Sequence, residues 1–448
     1  MQKKPALSMP TLICLIVGNM IGVGVYVGGF YSLSSLKDAR LVLLVWFIGG
    51  LHAICGAVAY GAVASRLPVS GGEYSYLTRC VHPIVGFVAG WISIIAGFTA
   101  PIAASALLIG SYVGTYGVTL SSKWIASLSI VFAAALHAFH LKVGTSFNNL
   151  VIAIKLTCFA IFLGLGIPYV LNSPSTGLLV DATGGAGPSE FLSVRLTEHD
   201  TIVQMIVSLF YVSLAYTGFN ASIYLAGEID TADVRAKNKS LVSRSMLIAC
   251  ISVMVIYMLL NWVFLYGLDP QAIMAAGEGY VAEVARNVGG EWLSQIIRLA
   301  IILSAATSVL AMMAIGPMVY AQMADDGRLP QFFRLDSGVP RVAIAVQAIL
   351  SCIVVWSSDI FGIIKYLGLT LTACGALAVS SIWFSHAKLA TSSPVRWYEH
   401  AATAAYIGGA MLFLFVAYRQ DPPQFWLCLA TFGTGALAFF ALPTLMKR

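Results

Sequence analysis

Charge is what this sequence has least of. Asp, Glu, Lys and Arg make up 10% of its 448 residues and apolar residues 59%; water-soluble globular chains carry about 25% charged residues, so that class is excluded. No Asp or Glu falls in the middle of any apolar run, and no carboxylate partner for a cationic substrate is evident. The cysteines, at 14, 55, 80, 158, 250, 352, 374 and 428, sit nearly all inside apolar runs with no CxxC pair. They are read as small buried hydrophobes, with neither disulfide nor metal site expected. A membrane enzyme needs His, Asp, Glu or Cys clustered near one membrane face. Beyond His137 and His140, read as interfacial polar residues, there is no such cluster. Soluble modules and low-complexity tails are missing too.

Hydrophobic length is present throughout. Apolar runs of about 18 residues or more recur along the chain, which predicts a single all-α polytopic membrane domain over 1–448 with the lipid bilayer as its solvent. Twelve spans fit the pattern: Thr11–Ser34, Leu41–Ser65, Ile84–Tyr116, Lys123–His140, Ser146–Leu171, Thr201–Gly227, Leu241–Gly267, Glu291–Met323, Val342–Ser357, Phe361–His386, Trp397–Tyr418 and Pro423–Leu445. Lys3 and Lys4 precede the first run as in a signal peptide. The run is too long and lacks a small-x-small cleavage site, so it is kept as the first span.

Orientation follows from Lys and Arg. The termini and the loops on their side carry sixteen of them, the opposite face eight. By the positive-inside rule both termini are cytoplasmic, in the cytoplasmic (inner or plasma) membrane. The net charge of +6 is then a topology signal and implies no nucleic-acid partner. Asn238-Lys239-Ser240 matches a glycosylation sequon but falls on the cytoplasmic side, and is discarded. Asn172–Asp200 is a long outer loop, and Asp269–Gly290 reads as a short amphipathic helix that could lie over an entrance.

Span 1 contains Gly18-Asn19-Met20-Ile21-Gly22-Val23-Gly24-Val25-Tyr26, three glycines within seven residues. Glycine costs a helix about 1 kcal/mol relative to alanine, so this is where a membrane helix is easily interrupted. An interrupted backbone survives in hydrocarbon only where protein or a wet cavity satisfies it. Five spans later, span 6 carries Tyr216-Thr217-Gly218-Phe219-Asn220, again polar and glycine-bearing. Isolated glycines also mark close helix packing. Paired breaks at matching positions of two inverted halves favour a transporter's binding site.

These residues resemble the amino acid-polyamine-organocation superfamily of amino-acid transporters. Gly18 to Tyr26 is similar to its first-helix signature. Arg66-Leu67-Pro68-Val69-Ser70-Gly71-Gly72-Glu73-Tyr74, the span 6 segment running on to Ala226-Gly227-Glu228-Ile229, and Ala324-Asp325-Asp326-Gly327-Arg328-Leu329-Pro330 agree in the expected order. The resemblance implies a LeuT-type fold: two inverted five-helix repeats, about 11–171 and 201–386, then two C-terminal helices at about 397–445. It implies alternating access for an amino-acid substrate, no cofactor, and a possible homo-oligomer. Substrate contacts are expected from Asn19, Met20, Ile21, Gly22, Val23 and Gly24, and from Leu214, Ala215, Thr217, Gly218 and Asn220. The amides around Val23 and Gly24 would face a carboxylate. Carbonyls near Asn19, Met20, Leu214 and Thr217 would receive an ammonium group.

Lys155 stands about nine residues into span 5, where a charge costs about 2.5–3.5 kcal/mol on insertion scales unless it faces a cavity or a partner. Snorkelling to the interface is the alternative. By the resemblance, its ammonium group replaces a sodium ion bridging spans 1 and 8. Span 8 offers the hydroxyls of Ser304, Thr307 and Ser308 to meet it, with Ser304 or Ser308 expected and the choice between those two open. A fixed cation implies sodium-independent exchange and a titrating one proton symport. Asn220 replaces the glutamate of acid-dependent relatives, which points to a neutral or small amino acid.

Two positions depart from the pattern: Val23 stands where a small hydroxyl is common, and Leu214 where an aromatic lid is common. The alternatives are a proton-coupled amino-acid or polyamine carrier and a non-transporting nutrient sensor on the same fold; no appended soluble tail of the sensor kind is present. Arg66, Glu73, Asp230, Asp233, Arg235, Asp326 and Arg328 are read either as an inner gate of ion pairs or as solvated loop charges. Asn148 and Asn149 are read as the start of span 5.

Overall fold

The computed structural model describes residues 9–67, 72–139, 145–172, 198–220, 223, 241–334, 339–384 and 394–446. Outside them fall Lys3 and Lys4, Pro68–Gly71, His140, most of the Asn172–Asp200 loop, the continuation of span 6 through Ala226–Ile229, Asp230, Asp233, Arg235, the sequon at 238–240 and the side chains of Asn148 and Asn149.

Among the described residues the regular structure is helical, the form in which a lone segment satisfies its own backbone in lipid. In order these are α1 (Met9–Met20), α2 (Val23–Leu36), α3 (Ala39–Arg66), α4 (Gly72–Cys80), α5 (Pro83–Ile92), a π-helical stretch (Ser93–Thr99), α6 (Ala100–Gly114), α7 (Ser122–Ala138), α8 (Thr145–Asn172) and α9 (Glu198–Ala215). There follow α10 (Leu241–Tyr266), α11 (Pro270–Ala276), a 3₁₀ turn (Gly277–Gly279), α12 (Tyr280–Gly289), α13 (Glu291–Asp325), a second 3₁₀ turn (Gln331–Phe333), α14 (Arg341–Ser357), α15 (Ile360–Phe384), α16 (Trp397–Gln420) and α17 (Pro422–Met446).

Among the described residues eight helical stretches are long and apolar enough to cross a membrane: α3, α5 through α6, α8 from Val151, α10, α13, α15, α16 and α17 to Leu442. The pair α1 and α2 passes the same test as one stretch bent by 41°. Three shorter apolar helices are α7, Asp200–Ala215 of α9, and α14. Each lies where the sequence places a span. The boundaries have local causes. Asp38 caps α3 by accepting from the amides of Arg40 at 2.7 Å and Leu41 at 3.4 Å. Pro83 occupies the first turn of α5, where a missing N–H costs nothing.

The region 269–290 is two helices rather than one. Asp269 caps α11 by accepting from the Gln271 amide, and Gly277 at φ +59 turns the chain into α12. That helix buries Tyr280, Val281, Ala282, Val284 and Ala285. In the middle of the molecule α2 lies against α9, α1 against α10 and α8, and α3 against α9, α10 and α16. The ends of α1 and α9 are thereby brought together.

Candidate functional site

The chain leaves helical geometry after Met20, where Gly22 is extended at φ −123 and ψ −154 and its amide donates to Met20 O at 2.9 Å. A second interruption follows Ala215, where Gly218 takes φ +95, a conformation open to glycine and strained for other residues. The two interruptions touch. Asn19 Nδ2 donates to Gly218 O at 3.2 Å. A Cβ on Gly24 would lie 2.5 Å from Ala215 Cα, so α2 meets the end of α9 backbone to backbone.

Two buried side chains from other helices hold the breaks. Tyr257 of α10 places its hydroxyl 2.7 Å from Met20 O and 3.0 Å from Ala215 O, one shared donor for the last carbonyl of each interrupted helix. Lys155 of α8 is 2% exposed and donates from Nζ to Ile21 O at 2.7 Å and Gly18 O at 3.2 Å. Its partners are thus carbonyls released by the first break. Ser304 of α13 donates to the same Ile21 O at 3.3 Å. Thr307 is bonded within its own helix, to Leu303 O and Ser304 O. Ser308 donates to Ser304 O and faces the cavity beside Gly22.

A cavity opens between the two breaks. Its lining includes Asn19, Met20, Gly22, Val23 and Gly24 from the first, Leu214, Thr217, Gly218 and Asn220 from the second, and Ser308. Ile21 and Ala215 are buried behind this surface and act through their carbonyls. The lining continues with Ser93, Gly97 and Phe98 of the π-helical stretch and with Met312 and Ile315 of α13. The wider helical ring is stabilised by Thr99 Oγ1 donating to Ile94 O, five residues back.

Beyond the break, on the α2 side, Tyr31, Tyr211 and Phe361 close in a ring cluster with centroids 4.7–5.6 Å apart. Glu278, in the turn between α11 and α12, accepts from the Tyr31 hydroxyl; burial pushes its carboxyl above the ordinary value. Leu214 itself lines the cavity, and Tyr211 of the ring cluster lies three residues earlier on α9.

Of the loop charges on the side of the chain termini, Arg66, Glu73, Asp326 and Arg328 lie among the described residues. Arg66 pairs with Glu399 at 2.7 Å, and Asp326 accepts from the Tyr74 hydroxyl at 2.6 Å. Arg328 lies over the Phe439 ring. Glu73, read as a loop charge, is 7% exposed and lines the cavity.

Sequence reasoning missed Tyr257, Glu73 and the Tyr31 cluster. Tyrosines in apolar runs look like core, and only the folding back of α4 shows that Glu73 points inward. Replacing Tyr257 with Phe removes a hydrogen bond shared by both breaks and leaves two buried carbonyls short of a donor, a cost of about 1–3 kcal/mol. We expect Tyr257→Phe to reduce transport about tenfold at equal membrane abundance, measured as initial uptake rate in proteoliposomes.

The amino acid permease family matches residues 7–445. The serine/threonine exchanger SteT of Bacillus subtilis (strain 168) is 25% identical over 357 residues, 77% of this chain and 75% of that relative. The human large neutral amino acids transporter small subunit 2 is 22% identical over 363 residues, 79% of this chain and 64% of the relative. The human Asc-type amino acid transporter 1 is 19% identical over 438 residues, 95% of this chain and 80% of the relative.

Proposed function

The chain belongs to the amino acid permease family, within the amino acid-polyamine-organocation superfamily of transporters, and we propose that it exchanges neutral or small amino acids across the cytoplasmic membrane by alternating access without sodium. The observation that carries this reading is Lys155, whose ammonium group lies 2.7 Å from Ile21 O while Ser304 reaches the same carbonyl from α13. A monovalent cation binding there would use the same oxygens; a tethered ammonium group makes one unnecessary. The exchanger and neutral-amino-acid descriptions of the relatives support the same class.

In this reading the bent α1–α2 pair, the eight long stretches and the three shorter helices make twelve spans, arranged as two inverted groups of five and a final pair. Both termini are cytoplasmic, which places Tyr31, Tyr211 and Glu278 toward the outside. The substrate carboxylate faces the first amides of α2, at Val23 and Gly24, which helix geometry leaves without intrahelical partners. The ammonium group has fewer acceptors than four. Met20 O already accepts from Tyr257 and the Gly22 amide, and Leu214 O from the Thr217 amide and hydroxyl, which fills the two lone pairs of each. Asn19 and Thr217 carry that role. Glu73 is held by other donors, so the substrate's side chain is neutral.

The test is labelled serine uptake into sodium-free proteoliposomes, with and without unlabelled amino acid inside. Uptake that requires internal amino acid and is indifferent to sodium is the expected result. No accumulation of any amino acid, or strict dependence on sodium, would overturn the reading.

A further inference from the structure

Glu73 is the buried acid that the transport mechanism above leaves unused. Its Oε1 accepts from the Tyr60 hydroxyl of α3 and from Asn220 Nδ2 at 3.2 Å, and its Oε2 from Cys374 Sγ of α15 at 3.1 Å. Two helices and the second break thus converge on one carboxyl group of α4. None of the three donors is charged. Among the described residues, no cation lies within ion-pair distance of Glu73.

The nearby charges are engaged elsewhere. Arg66, on the same helix as Tyr60, pairs with Glu399 of α16 and donates to the Ala62 and Pro394 carbonyls. Lys155 donates to Gly18 and Ile21. At the end of α13, Asp326 takes the Tyr74 hydroxyl and Asp325 pairs with Arg334. Arg79 of α4 is exposed. From α16 the Tyr406 hydroxyl lies close to that of Tyr60, both being beside Gly375, and His52 stacks on the Tyr406 ring at 4.5 Å. Cys428 of α17 is buried near Cys374.

We infer that Glu73 is a proton-binding site that couples its protonation to closure of the cavity on the side of the chain termini. The inference rests on the transport reading. An ionised carboxylate buried without a cation is costly, and the protonated form is not. The Tyr60 hydroxyl and the Cys374 thiol can each donate to a carboxylate or accept from a carboxylic acid, so this shell serves both forms. Asn220 carries the change into the second break. Burial, the dominant influence, pushes the Glu73 carboxyl above the ordinary 4.5, while the Tyr60, Cys374 and Asn220 hydrogen bonds pull it down. The closed state therefore binds the proton more tightly than an open state in which Glu73 meets water. Acid favours closure, and as pH rises past the raised value the closed state is penalised.

The experiment is amino-acid counterflow in proteoliposomes at equal internal and external pH, across roughly pH 5 to pH 8. The wild type is expected to show a several-fold change with one midpoint above 4.5. Glu73→Gln, which mimics the protonated group, is expected to lose this response and exchange at the wild type's acid-limit rate. Tyr60→Phe removes a donor that favours the ionised form, so its midpoint moves upward; this variant tests the idea even if Glu73→Gln fails to fold. A wild-type pH profile in Glu73→Gln, an unmoved midpoint in Tyr60→Phe, or a flat wild type would overturn the assignment while leaving exchange intact. Absence of wild-type counterflow at every pH would instead contradict the transport reading.

Discussion

In Lys155→Ala, amino-acid counterflow falls by about 10- to 100-fold while the folded protein recovered from the membrane falls far less. Hydrogen bonds from a charged donor contribute about 1.5–3 kcal/mol each, and Lys155 makes two, to Ile21 O and Gly18 O. Both acceptors belong to the stretch where α1 gives way to α2, so the loss is felt at the break and not throughout the bundle. Water entering the vacated space recovers part of it, which keeps the expected loss, about 1.4–2.8 kcal/mol, below the sum. Ser304 would remain as a donor to Ile21 O, but a hydroxyl cannot span to Gly18 as well. The check is initial counterflow rate normalised to protein eluting as a single species. A wild-type rate would make the lysine a packing residue.

Gly24→Ala is expected to abolish transport almost entirely. The added Cβ would lie 2.5 Å from Ala215 Cα and 2.8 Å from both its Cβ and N. Backbone atoms cannot rotate aside, so α2 and α9 must separate. Overpacking of this kind costs about 1–3 kcal/mol. The same separation pulls Ala215 O from Tyr257 and strains the Asn19 to Gly218 bond. Gly22→Ala is the internal control: its Cβ would meet nothing nearer than Ser308 Oγ at 3.8 Å, and φ −123 suits any residue. Melting temperature in detergent should drop for Gly24→Ala and hold for Gly22→Ala.

What was legible in the sequence is what lipid makes expensive. A lysine inside an apolar run must have a partner, and Lys155 has two. Glycines that weaken a span must be compensated, and the breaks at Gly22 and Gly218 are bridged by Asn19 and Tyr257. Hydrophobic length alone located the long helices, since it is set by membrane thickness. Other features leave no such trace. The π-helical stretch at Ser93–Thr99 follows an ordinary apolar pattern, and its stabilising partners, Gln347 and Ser351 bonding Thr99, come from α14, far along the chain. Glu73 lies outside any apolar run and so reads as a loop charge, gate or solvated. Its burial depends on α4 turning back under α3 and α15. The choice between Ser304 and Ser308 was equally hidden, because one helical turn separates a residue facing Ile21 O from one facing the cavity.

In the proposed site the amides of Val23 and Gly24 at the first break face the carboxylate of one zwitterion, and the carbonyls of Asn19 and Thr217, one from each break, face its ammonium group. The most direct measurement is competition against labelled serine in sodium-free counterflow by three compounds of similar size: serine, its decarboxylated amine and its deaminated hydroxy acid. The account predicts that unlabelled serine competes fully and that neither truncated analogue does, since each leaves one half of the site unpaired. Competition by the amine or the hydroxy acid as strong as that by serine would contradict it.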